Sequence, residues 1–210
     1  MIQYHNNNNM SLFPKGIEDI HTHDVSRSES AVVNISPSGV FPDVIRWASV
    51  GIHPWNASVT DEETFLILEE MASDVRVVAI GEAGLDRVRG GLISDQEIVF
   101  RRQVDISENL RKPMVLHVVR AFDRILHLRK KLNPSQAWII HGFRGNPVLA
   151  GQLLDSGMDI SLGEYFNRDT AKVIPAGRLY FETDESNLDI KQIRAAVEAA
   201  RNNTINIKAF

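Results

Sequence analysis

The stretch Asp19-Ile20-His21-Thr22-His23 carries the first chemistry in the chain. In an extended strand alternate side chains share a face, so Asp19, His21 and His23 point one way and Ile20 and Thr22 the other. Two imidazoles spaced in that way can grip one metal ion together. An isolated His-x-His is more often an ordinary polar pair at a strand end. Here the pattern recurs in kind: His53, Glu82, His117, His141 and Asp184 each stand at or just after the C-terminal end of a later apolar run. The 210 residues include no cysteine, so thiolate sites and disulfides are excluded, and any metal must be held by imidazole and carboxylate.

The elements that would position these groups are short. Apolar runs at 17–21, 31–35, 47–52, 75–80, 114–118, 137–140, 158–161 and 178–181 are rich in Val and Ile. Several are apolar on both faces, as parallel strands covered on both sides are. Helical patterns fill most of the gaps. One is capped at Thr60 with Glu63 three positions on, and bears a stripe of Phe65, Leu66, Leu68 and Met71. A long one is capped at Ser94 with Glu97 and runs to about Arg111, stopped by Pro113. Others cover 121–132, 146–156 (ended by Gly157) and 187–202. Strands alternating with helices in this way predict an α/β fold, a TIM-type (β/α) barrel.

The barrel is shortened in its first βα units. Only residues 24–30 separate the first two strands, fewer than the roughly ten to twelve that a parallel crossover needs. The next connection, 36–46, carries Pro37, Gly39 and Pro42 and reads as a loop. An apolar strip on the first strands would then need another cover, supplied by Val40, Phe41 and Val44 of that loop with help from Ile205, Ile207 and Phe210 of the tail. Residues 1–15, with four consecutive asparagines, read as a disordered extension, and 16–210 as a single domain.

In such barrels the C-terminal strand ends build the active-site face. The motifs found there are Gly51-Ile52-His53-Pro54-Trp55, Gly81-Glu82-Ala83-Gly84-Leu85-Asp86, Leu116-His117, Ile140-His141-Gly142-Phe143-Arg144-Gly145 and Glu182-Thr183-Asp184. Following His21-Thr22-His23 in that order, they match a hydrolytic metal site with imidazole and carboxylate ligands. The set resembles the TatD-type metal-dependent deoxyribonucleases of the amidohydrolase superfamily, from Ile17 to about Ser186. The resemblance implies two divalent ions, Mg²⁺, Mn²⁺ or Zn²⁺, bridged by Glu82. It places His21 and His23 on one ion with Asp184 nearby, and His117 and His141 on the other. Asp184 would orient or deprotonate the attacking water, which makes Asp184 and Glu82 the implied catalytic residues. The implied activity is a phosphodiesterase acting on DNA ends or single strands. The alternative is a metal-dependent hydrolase of a small ester or amide, because fold does not fix substrate. Two departures stand out: the arginine after His117 comes one position late, at Arg120, and Glu185-Ser186 replace the small residue and proline after Asp184.

His53, Trp55, Arg87 and Arg120 are the candidate substrate contacts, with Arg89 beside them, and Trp55 could stack a base. Glu164 puts a further carboxylate near the mouth. Arg101-Arg102 and Lys130-Lys131 read as solvated helix faces, and His127 as a mid-helix surface residue. A net charge of −4 gives no overall bias toward nucleic acid, and 43% apolar with 24% charged residues is ordinary for a globular chain. No run approaches the roughly 20 apolar residues of a membrane span, and no signal peptide is apparent. The expectation is a cytoplasmic monomer or weak homodimer.

Overall fold

The structure is a computed structural model that describes residues 12–38 and 40–202. Eight parallel strands follow one another in sheet order as in sequence: β1 (Asp19–Thr22), β2 (Ala31–Ile35), β3 (Ala48–Val50), β4 (Val77–Asp86), β5 (Met114–Val119), β6 (Trp138–Ile140), β7 (Asp159–Leu162) and β8 (Leu179–Phe181). The ends of the sheet meet: Asp184 N donates to His21 O at 2.9 Å and His23 N to Asp184 O at 3.3 Å. The (β/α) barrel is therefore closed beside the His21-Thr22-His23 segment. β4 is longer than expected and carries Glu82 and Asp86 within it rather than after it.

Helices α1 (Glu62–Ala72), α2 (Ile93–Leu110), α3 (Phe122–Leu132), α4 (Pro147–Asp155), α5 (Arg168–Val173) and α6 (Ile190–Asn202) cover the later strands. Three of their starts differ from expectation. Asp61, not Thr60, caps α1 by accepting from Thr64 N at 2.9 Å, because Thr60 closes the preceding 3-10 turn and donates to Asn56 O. α2 starts at Ile93 with no side-chain cap; Glu97 is drawn instead to Arg124, 2.6 Å away on α3. α6 begins three residues later than expected, where Gln192 accepts from Asp189 N and Asp189 from Lys191 N. The short α5 was not anticipated: its few residues are mostly polar, and its start is set by Asn167, which accepts from Asp169 N and Thr170 N.

The first outer helices are absent among the described residues. A 3-10 turn, Val25–Arg27, is all that joins β1 to β2, and no helix lies between β2 and β3. Phe41 does pack on the core, with the Arg76 guanidinium 3.7 Å above its ring, and Ile45 is buried. Val40 and Val44 do not cover the strip, since each is 68% exposed. Ile205, Ile207 and Phe210 lie outside the described residues.

Two apolar layers hold the barrel. Strand residues and the helices pack around it, as where Phe100 meets Trp138 edge to face at 5.1 Å. A smaller cluster holds Ile20, Val32, Ala79, Val115 and Ile139, with Phe13 and Tyr180; Ile20 joins it, against the alternation expected from His21, where the register of β1 shifts between Asp19 and Thr22. Val32, Val115 and Ile139 each stand two residues before Asn34, His117 and His141, so they share the inward face one layer below the site. Phe13 closes this layer, 5% exposed and edge-on to Tyr180. Ordered chain thus begins ahead of residue 16, because a phenylalanine so placed recovers burial energy that a solvated tail would forgo; residues 1–11 lie outside the described residues. Phe13→Ala should cost about 3–5 kcal/mol in denaturant unfolding. A loss under about 0.5 kcal/mol, the range of ordinary surface substitutions, would show that the end of the barrel closes without it.

Candidate active site

At the C-terminal mouth a cavity of about 700 Å³ opens, lined by His23, Asn34, His53, Glu82, His117 and Asp184 among others. Glu82 is its buried centre, and its two oxygens divide the imidazoles. Oε2 faces His23 Nε2 at 3.2 Å and His21 Nε2 at 3.6 Å. Oε1 faces His141 Nε2 at 2.7 Å, His117 Nδ1 at 3.4 Å and His53 Nε2 at 3.8 Å. Asp184 Oδ1 closes the first group, 3.7 Å from His21 and 3.6 Å from His23.

Supporting contacts fix which ring nitrogen is free. His117 Nε2 meets Asp86 Oδ2 at 3.1 Å, and His141 Nδ1 meets Glu182 Oε1 at 3.2 Å. With a cation bound, the carboxylate on one nitrogen would keep the proton there and leave the other nitrogen, turned toward Glu82, as the ligand atom. His53 is set the opposite way. Its Nδ1 accepts from Trp55 N at 3.2 Å, so the proton lies on Nε2, toward Glu82. That tautomer makes His53 a donor rather than a ligand at Nε2. Burial pushes its pKa down to about 4, so it stays neutral.

Without a cation the charges differ: burial would lower the pKa of His141, but the Glu82 and Glu182 carboxylates beside it raise it well above the ordinary imidazole value. Burial alone would raise Glu82, but His141, His21 and His117 around it hold it far below the usual carboxylate range. Burial would raise Asp184 as well, and His21 and His141 beside it keep it lowered. Both carboxylates are therefore anionic at neutral pH. The site also fits divalent cations on a separate observation: both ring nitrogens of fully buried His21 lack any hydrogen-bond partner. Buried polar atoms are nearly always satisfied. His21 falls in two groups that could hold an ion, one with Glu82 and His141 and one with His23 and Asp184, and a cation there would satisfy its open nitrogen.

Several residues of the site were missed from sequence. Asn34 Oδ1 accepts from Glu82 N at 2.9 Å and its Nδ2 donates to Glu82 Oε2 at 3.4 Å. Gln96 and Gln103 are buried on α2: Gln96 bonds both N and O of Asp86, and Gln103 both N and O of Ile52. They clamp the ends of two site strands. The signal was present, since two glutamines seven apart on the buried stripe of a helix need polar partners inside. Glu182 and Asp86 were likewise visible in their motifs, but their service to His141 and His117 depends on register across strands.

Among the candidate substrate contacts, His53, Trp55 and Arg120 line the cavity. Trp55 is 43% exposed; its Nε1 donates to Asp86 Oδ2 at 2.7 Å, and the Arg89 guanidinium lies 4.7 Å from its ring. Arg87 does not line the cavity. It forks onto Asp123 at 2.7 and 2.8 Å and donates to Arg120 O, because α3 offers a carboxylate nearer than the mouth. Glu164 stands in an adjoining cavity and accepts from Ser186 Oγ at 2.6 Å. His127 is exposed on α3.

Fold and site define a class: a parallel (β/α) barrel with a cation-suited imidazole–carboxylate cluster at its C-terminal mouth. The chain belongs to the TatD related DNase family, whose model matches residues 18–207. It is 31% identical over 166 residues to the 3'-5' ssDNA/RNA exonuclease TatD of Erwinia amylovora, covering 74% of this chain and 64% of that one. It is 32% identical over 148 residues to the protein of the same name from a Pantoea species, covering 66% of this chain and 57% of that one. This chain thus spans less than two thirds of the length of these relatives. Among solved structures it resembles YJJV, a TatD homolog from Escherichia coli K12, with a TM-score of 0.72, 19% identity and 88% of each chain covered. It also resembles a TatD family hydrolase from Entamoeba histolytica, with a TM-score of 0.63, 21% identity, and 80% of this chain and 73% of that one covered. No helix among the described residues is long and apolar enough to cross a membrane.

Proposed function

We propose that the chain is a metal-dependent phosphodiesterase acting on single-stranded nucleic acid, with two divalent ions held on either side of Glu82. The observation that carries this reading is the division of imidazoles between the two oxygens of one buried carboxylate. His21 and His23 with Asp184 would hold one ion, and His117 and His141 the other. Such ions supply an activated water and neutralise charge that builds on the phosphoryl oxygens.

The protein's own groups do the rest. Glu82, kept anionic, bridges the halves of the site. Asp184, also anionic and 32% exposed at its side chain, accepts the proton of the attacking water. Asp86 and Glu182 keep His117 and His141 turned inward. His53 Nε2–H is a neutral donor for a phosphate oxygen. Arg120, on the cavity wall, supplies positive charge for the backbone of the substrate. The names of the relatives, ssDNA/RNA exonucleases, support single strands as the substrate class.

Binding of a labelled single-stranded oligonucleotide to Asp184→Asn protein tests the substrate. Affinity should fall as salt rises, because neutralising phosphates releases counterions, and Arg120→Ala should flatten that slope by about one ion. No binding at low salt, together with turnover of small esters, would move the assignment to a small-molecule hydrolase.

A further inference from the structure

Beside the mouth lies a second cavity, of about 350 Å³, that reaches from Asp184 past Glu164 and Tyr165 to Leu188. It shares a wall with the first, formed by Gly142, Phe143, Arg144, Asp184 and Glu185. The two spaces therefore meet at Asp184 and form one bent groove. Arg144 stands between them and lines both. Its guanidinium lies 5.0 Å from the ring of Tyr165, which follows β7 and is 65% exposed. An aromatic ring left this open in a groove, with a cation already over it, is the pairing that single-stranded nucleic-acid grooves use for a base and its phosphate.

Other residues of the lining have the other sign. Glu164 is tied to Ser186 Oγ at 2.6 Å, and Glu185 is close by. A hydroxyl donor does not cancel a carboxylate's charge, so a phosphate is repelled from these residues. The loop that carries Glu185 is also fixed in place: Arg27 Nη1 donates to Leu188 O at 2.8 Å and Nη2 to Ser186 O at 3.2 Å. The short connection after β1 thus braces the loop after β8.

We propose that this second cavity is a subsite for the nucleotide next to the one being cleaved, with Tyr165 stacking its base and Arg144 meeting its phosphate. The inference rests on the phosphodiesterase reading and adds to it a requirement for a polymer longer than the scissile unit.

The test compares two substrates in the metal-loaded protein: a single-stranded tetranucleotide and bis(p-nitrophenyl) phosphate, a diester too small to reach Tyr165. The ratio of kcat/KM for the tetranucleotide to that for the small diester should fall about tenfold or more in Tyr165→Ala, the scale of one lost base stack. Tyr165→Phe should keep the ratio, because the ring remains. Arg144→Ala should lower it and reduce its salt dependence. An unchanged ratio in Tyr165→Ala, with both substrates cleaved, would overturn the subsite alone. Cleavage of the small diester but not the tetranucleotide by the unmodified protein would overturn it too. If the unmodified protein cleaves neither substrate with any divalent ion, the phosphodiesterase reading falls and takes the subsite with it.

Discussion

Removing divalent metal should abolish phosphodiester cleavage, and adding back Mg²⁺, Mn²⁺ or Zn²⁺ should restore it. The expectation follows from the centre of the site. Glu82 is buried among imidazoles and stays anionic, and the buried ring of His21 has no hydrogen-bond partner on either nitrogen, so the nitrogen that bears the lone pair is open to a cation. Cation binding should also be visible without turnover. A ligand that binds the folded state alone stabilises it by about 2.7 kcal/mol at one hundred times its dissociation constant, so the melting temperature of the stripped protein should rise as the effective ion is titrated in. Full turnover in exhaustively metal-free protein would sink the assignment of His21, His23, His117 and His141 as ligands.

Asp184→Asn should lower kcat by about 10²-fold or more, the usual scale for losing a general base. The amide keeps the shape and one oxygen facing His21 and His23 but cannot take a proton from water. The backbone contacts that close the barrel, Asp184 N to His21 O and His23 N to Asp184 O, do not depend on the side chain and should preserve the fold. His127→Ala, on the exposed face of α3, is the control and should change kcat little. Equal losses in both variants, each with an unchanged melting temperature, would place the base elsewhere.

The strand order and the convergence of His21, His23, Glu82, His117, His141 and Asp184 were legible because barrel topology maps linear order onto angular order. Each apolar run is a stave, and whatever follows it arrives at the same face. The absence of full helices around residues 24–30 and 36–46 was legible from length and from proline. Other features depend on partners distant in sequence. Thr60 and Asp61 both suit a cap, and the preceding turn chose between them. Arg87 looked like a free cation until α3 brought Asp123 to it. The buried glutamines of α2 were missed because that helix was read from its ends alone, and α5 is too short for periodicity to show. Phe13 sat in a segment read as a tail because a single aromatic carries no pattern.

Phe13, with Ile20, Val115, Ile139 and Tyr180, stoppers the barrel at the end away from the site. Among the described residues the vessel opens only at the site. On the proposed reading a nucleic-acid strand could not be reeled through it as through a ring, so each cut end would back out past Trp55 and Arg144 on the rim by which it came. Traffic at that doorway becomes part of the rate: released nucleotides and incoming strands compete for the same passage, and product should inhibit competitively.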